Sequence, residues 1–76
     1  MQDLEERDNL IKLFEKYGQL LAQSQKQVLY LYLFEDLSFQ EIANELAMSR
    51  AAAYDALKKG KQKLLLFDKK INAKSL

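Results

Sequence analysis

Proline is absent from the 76 residues and glycine occurs only twice, at positions 18 and 60. A chain with so little punctuation must be divided by capping residues and by its apolar period. Four segments emerge on that basis, all helical. The first runs from about Asp3 to Tyr17. Leu10, Phe14, Tyr17 and Leu21 recur at helical spacing, flanked by Ile11 and Leu13, and Gly18 is a stop signal. Acidic residues crowd its first turns, where the helix dipole favours them. The second opens at Ser24, which forms an S-x-x-Q capping pattern with Gln27. Its run Val28 to Phe34 also suits a buried strand, but it is leucine-rich with a single β-branched residue, and the helix is preferred.

The third segment opens at Ser38, paired with Glu41 in a second capping pattern, and carries Phe39, Ile42, Ala43 and Leu46 over about two turns. A break at Ala47-Met48-Ser49 follows, with Ser49 as N-cap of a fourth segment starting at Arg50. In that segment Ala53, Leu57, Gly60, Leu64, Phe67 and Ile71 alternate by four and three, a seam of 3.5-residue period. Gly60 lies on the seam and marks either a close helix contact or a helix end. The expected core is Leu10, Phe14, Val28, Leu31, Ile42, Leu46, Leu57 and Leu64.

Composition excludes several function classes. There is no cysteine and no histidine, which removes thiolate chemistry, the commonest general base and the commonest metal ligand. No glycine-rich phosphate loop and no convincing carboxylate pair is present, so an enzyme is not expected, and no cofactor or metal. With 49% hydrophobic and 30% charged residues the chain reads as globular. Its longest apolar run, Val28 to Phe34, is far short of the ~20 residues of a membrane span. Met1 to Asp8 is acidic and polar, unlike a signal peptide, and a cytoplasmic location is expected.

A net charge of +1 conceals an asymmetry: residues 1–49 carry −5 and residues 50–76 carry +6. A basic C-terminal segment on an acidic body suggests an anionic partner, nucleic acid first. It also describes a solvated lysine-rich tail. Two short helices around a three-residue turn, followed by a longer basic helix, read as a helix-turn-helix at about residues 38–59, with a basic and apolar helical extension at about 60–72. The small Ala43 suits the helix crossing, and Ile42, Leu46, Met48, Ala53 and Leu57 supply the facing apolar sides. Ala47 occupies the turn position that demands positive φ, at a cost of roughly 1–2 kcal/mol.

Residues 24–57 resemble the region-four domain of bacterial sigma factors. More closely, Leu13-Phe14-Glu15-Lys16-Tyr17, Asp36-Leu37-Ser38, Glu41-Ile42-Ala43, Ser49-Arg50, Ala52, Tyr54-Asp55 and Lys58 resemble the YlxM family, small bacterial helix-turn-helix proteins encoded beside signal recognition particle genes. The resemblance spans about residues 7–68. It implies an all-helical, often dimeric protein with a regulatory role toward the signal recognition particle pathway. Family members usually carry glutamine at position 51 and a polar residue at position 56, both alanine here, and usually extend well beyond Leu76.

The expectation is therefore a single all-α domain over residues 1–76, a sigma region-four-like four-helix fold that binds DNA weakly, mainly through phosphate charge. Ser49, Arg50, Tyr54, Lys58, Lys59 and Lys61 are the candidate DNA contacts, and Arg50 has the reach to bond guanine. Asp55 opposes phosphate binding. Alanine at 51 and 56 removes two donors that relatives would have. Leu64, Leu65, Phe67 and Ile71, with Leu66 in the same cluster, are expected to join two copies as a homodimer. The rival reading keeps the fold but gives the alanine-rich face to a protein or RNA partner of the signal recognition particle.

Overall fold

The computed structural model describes residues 4–72. It contains α1 (Leu4–Tyr17), a 3₁₀ turn (Gly18–Leu20), α2 (Gln23–Phe34), α3 (Phe39–Leu46) and α4 (Arg50–Asn72). No strand occurs among the described residues, and the fold is all-α as expected. None of these helices is long and apolar enough to cross a membrane.

The caps explain most boundaries. Ser38 is the N-cap of α3: its Oγ accepts from Glu41 N–H at 3.2 Å while the Glu41 carboxylate accepts from Ser38 N–H at 2.8 Å. Ser49 starts α4 by accepting from Ala52 N–H at 3.0 Å. The expected box at Ser24 does not form. The first turn of α2 closes instead on Ala22, an extended residue with no side-chain cap, through Lys26 N–H at 2.9 Å. Leu21 is buried just before it, and that anchor draws the helix start ahead of Ser24.

Ala47 ends α3 in the left-handed region, φ 55°, ψ 46°. Met48 N–H then donates to Ala43 C=O at 2.9 Å and Ala47 N–H to Asn44 C=O at 3.4 Å, the Schellman arrangement. This conformation strains any residue with a Cβ. Ala47→Gly is therefore expected to stabilise the fold by roughly 1 kcal/mol, the relief exceeding the added unfolded-state entropy. A chemical-denaturation midpoint that stays or falls would contradict this. Among the described residues Asp36 also has a positive φ, 56°, and turns the chain out of α2.

The core joins Leu10, Leu13, Tyr17 and Leu21 to Val28, Leu29 and Leu33 of α2, Ile42 and Ala43 of α3, and Ala53, Ala56, Leu57 and Leu64 of α4. Of the expected core, Phe14, Leu31 and Leu46 are only partly buried. The inward face of α1 runs through Leu13 rather than Phe14, and that of α2 through Leu29 and Leu33. Phe14 packs beside Phe34, with ring centroids 5.7 Å apart, and lines an open groove with Tyr30, Leu31 and Leu46.

Gly60 does not end α4. It is buried, and the helix runs through it for 23 residues. A Cβ at this position would fall 2.7 Å from Leu29 Cδ1, so the glycine is what lets α4 approach α2. Farther along, Tyr17 donates to Asp68 at 3.2 Å and its ring meets Phe67 at 6.3 Å, pinning the C-terminal half of α4 to the end of α1. Burial of the phenol, reinforced by the hydrogen bond to Asp68 and by that residue's charge, raises the Tyr17 pKa above its ordinary value.

These contacts correct the reading of the 3.5-residue seam. Ala53, Leu57, Gly60 and Leu64 face the body of the same chain, and Leu64 is fully buried there. Leu64 is thus unavailable to a second copy, and Phe67 is partly committed to Tyr17. The seam found its partner within the chain because α1, α2 and α3 all pack on α4.

Candidate nucleic-acid interface

α4 divides into an inward and an outward side at its first turns. Ala53, Ala56 and Leu57 are buried, whereas Arg50, Ala51, Ala52, Tyr54, Asp55, Lys58 and Lys59 are exposed. Ala56 therefore packs against the body and has no access to a base edge, so the substitution at 56 removes no donor. Ala51 does lie outward.

The candidate residues fall into two flanks. Arg50, Tyr54 and Lys58, spaced four apart, form one stripe beginning directly after the Ser49 cap. Arg50 makes no ion pair with a described residue. Lys61 borders the same stripe but is half-buried, 3.5 Å from the Glu6 carboxylate. Lys59 lies on the other flank, 3.2 Å from Asp55 one turn earlier. That pair partly cancels the carboxylate expected to oppose phosphate. An exposed pair of this kind contributes little to stability; here it balances local charge. Arg50, Tyr54 and Lys58 thus come together, Lys61 is partly neutralised, and Lys59 stands apart.

Behind the stripe runs a chain of aromatic rings. Tyr54, half exposed, packs T-shaped with Phe39 at 5.4 Å and 81°, and Phe39 lies parallel to Tyr32 at 6.0 Å and 6°. The Arg7 guanidinium sits over Tyr32 at 6.0 Å. Tyr32, Phe39, Tyr54, Lys58 and Lys61 share one depression, and Phe39, Arg50, Ala51 and Tyr54 share another beside it. A basic stripe with aromatic rings interleaved is the surface chemistry of nucleic-acid recognition.

Sequence reasoning did not single out Arg7 or Phe39. Arg7 donates to Leu33 C=O at 2.9 Å, Tyr32 C=O at 3.3 Å and Asp36 Oδ1 at 3.1 Å. It thereby satisfies carbonyls at the C-terminal end of α2, where the helix dipole favours a cation. Its partners are 25 to 29 residues away, and no local pattern marks such a pairing. Phe39 was read only as an apolar residue of α3.

No solved structure matches the chain. Curated relatives do. A UPF0122 protein of Mycoplasma capricolum subsp. capricolum is 42% identical over 71 residues, covering 93% of this chain and 63% of the relative. A UPF0122 protein of Clostridium kluyveri is 42% identical over 69 residues, covering 91% and 62%. One from Bacillus cereus (strain AH187) is 38% identical over 68 residues, covering 90% and 62%. The chain therefore spans somewhat under two thirds of the length of these relatives. The family model matches residues 4–75, all four helices included. The chain belongs to the UPF0122 family of YlxM/p13-like helix-turn-helix proteins.

Proposed function

We propose that this chain is a cytoplasmic DNA-binding regulator that lays the N-terminal turns of α4 in the major groove and works as a homodimer. The observation that carries the reading is the Arg50-Tyr54-Lys58 stripe at the start of the second helix of a helix-turn-helix, with Arg50 free of any described acidic partner. Arg50 reads guanine, and Lys58 and Lys61 neutralise phosphates. Lys59 and its neighbour Lys63 add sequence-independent attraction. Leu65, Leu66 and Ile71, each about half exposed on the last turns of α4, support association of two copies.

Binding is weak and governed by salt. If Lys58 and Lys61 each neutralise one phosphate, raising salt from 50 to 200 mM lowers affinity about tenfold per copy. Arg50→Ala is expected to cost about 1–3 kcal/mol, more than either lysine change, because a bidentate base contact is lost. Fluorescence anisotropy of labelled duplexes at the two salt concentrations, with unrelated DNA as competitor, measures both effects. The resemblance to proteins encoded beside signal recognition particle genes makes DNA upstream of such genes the first duplex to try. Tight, competitor-resistant binding at physiological salt would contradict the weak-binding reading. No binding at low salt would overturn the DNA reading and favour a protein or RNA partner of the signal recognition particle.

A further inference from the structure

We infer that the first turn of α4 reads thymine through its 5-methyl group, beside the guanine taken by Arg50. The inference rests on the duplex-binding reading above and names what that site selects.

Residues at the N-terminal end of a recognition helix meet the base edges. Here Ala51 and Ala52 face outward and carry no hydrogen-bonding side chain. An open apolar depression lies there, lined by Phe39, Arg50, Ala51 and Tyr54. The backbone adds few donors. The amides of Ala52 and Ala53 are already bonded to Ser49, to its Oγ at 3.0 Å and its carbonyl at 3.0 Å. A polar base edge seated there would lose water without gaining a partner. Among the groups exposed in the major groove, thymine's methyl is the apolar one.

The walls are held before any ligand arrives. Phe39 is held between the parallel Tyr32 ring and the near-perpendicular Tyr54 ring, and Tyr32 lies under Arg7. A preset apolar recess needs no ordering on binding. Arg50 supplies the adjoining polar contact, since its fork fits guanine O6 and N7. The arrangement selects a thymine next to a guanine.

The test begins with selection of duplexes from a randomised pool at low salt. Selected sites are then resynthesised with deoxyuridine replacing one thymine at a time, which deletes only the methyl. Burying one methyl is worth about fourfold in affinity (~0.8 kcal/mol). The expected result is a fourfold loss at a thymine adjacent to a guanine, with near-normal binding elsewhere. Ala51→Gln fills the recess with an amide, so that variant should treat deoxyuridine and thymine alike at that position. If the selected duplexes bind yet no uridine position matters, the thymine inference fails and the duplex-binding reading stands. If no duplex is retained at low salt, both fail together.

Discussion

Leu64→Ala is expected to remove about 2–5 kcal/mol of stability, measured by urea or thermal unfolding. Leu64 is fully buried among residues of its own chain, so truncation leaves a cavity under α4. For 76 residues the whole unfolding free energy is of order 4–11 kcal/mol, so the variant should lose a large share of it and melt at a markedly lower temperature. The neighbouring pair behaves differently. Leu65 and Leu66 are 50% and 46% exposed. Replacing both by serine should shift stability by no more than about 1 kcal/mol while lowering self-association in sedimentation experiments. A Leu64→Ala protein with an unchanged unfolding midpoint would place that side chain outside the core. An unaltered sedimentation coefficient in the double variant would remove Leu65 and Leu66 from any association surface.

The second large effect is expected at the crossing of α2 and α4. Gly60→Val should destabilise by about 3 kcal/mol, because the new Cβ falls 2.7 Å from Leu29 Cδ1 and 3.3 Å from its Cγ, and the fully buried Leu29 must shift within the core to admit the larger side chain. Gly60→Ala sets two effects against each other. Alanine gains about 1 kcal/mol in helix propensity, and the same steric overlap costs more. A net loss of about 1 kcal/mol is expected. In a Leu29→Ala background the obstacle is gone, and Gly60→Ala should then stabilise. The reversal of sign across the double-mutant cycle is the diagnostic result. Gly60→Ala that stabilises both backgrounds would show that the helices do not depend on close approach at this residue.

The features legible in the sequence are those settled within a few residues. Ser38 and Glu41 lie one turn apart and bond each other within that turn; Ser49 acts on Ala52 in the same way. The αL turn at Ala47 followed from the spacing of the two helices around it. Ser24 and Gln27 have the same spacing and form no cap, because burial of Leu21 decides where α2 starts. The seam of α4 showed in the sequence, but its partner did not. A heptad-like row facing the body of its own chain has the same pattern as one facing a second copy, and Leu64 falls on the wrong side of that ambiguity. Ala56 failed similarly: only the packing of α4 separates an inward alanine from the outward Ala51. The Arg50-Tyr54-Lys58 stripe follows from spacing. Its aromatic wall required the fold to bring Tyr32 of α2 and Phe39 of α3 together.

Because α4 continues from Arg50 to Asn72 without a break, its two ends are mechanically one body. A 23-residue helix is about 34 Å long, and each residue fixes a rotation of 100°. Whatever grips the exposed leucines near its far end therefore also holds the turn that carries Arg50. A single residue inserted after Lys61 would turn the two ends out of phase by about a quarter turn. In the reading proposed above, a partner that grips the C-terminal turns therefore takes hold of the same rigid body as the turn that carries Arg50.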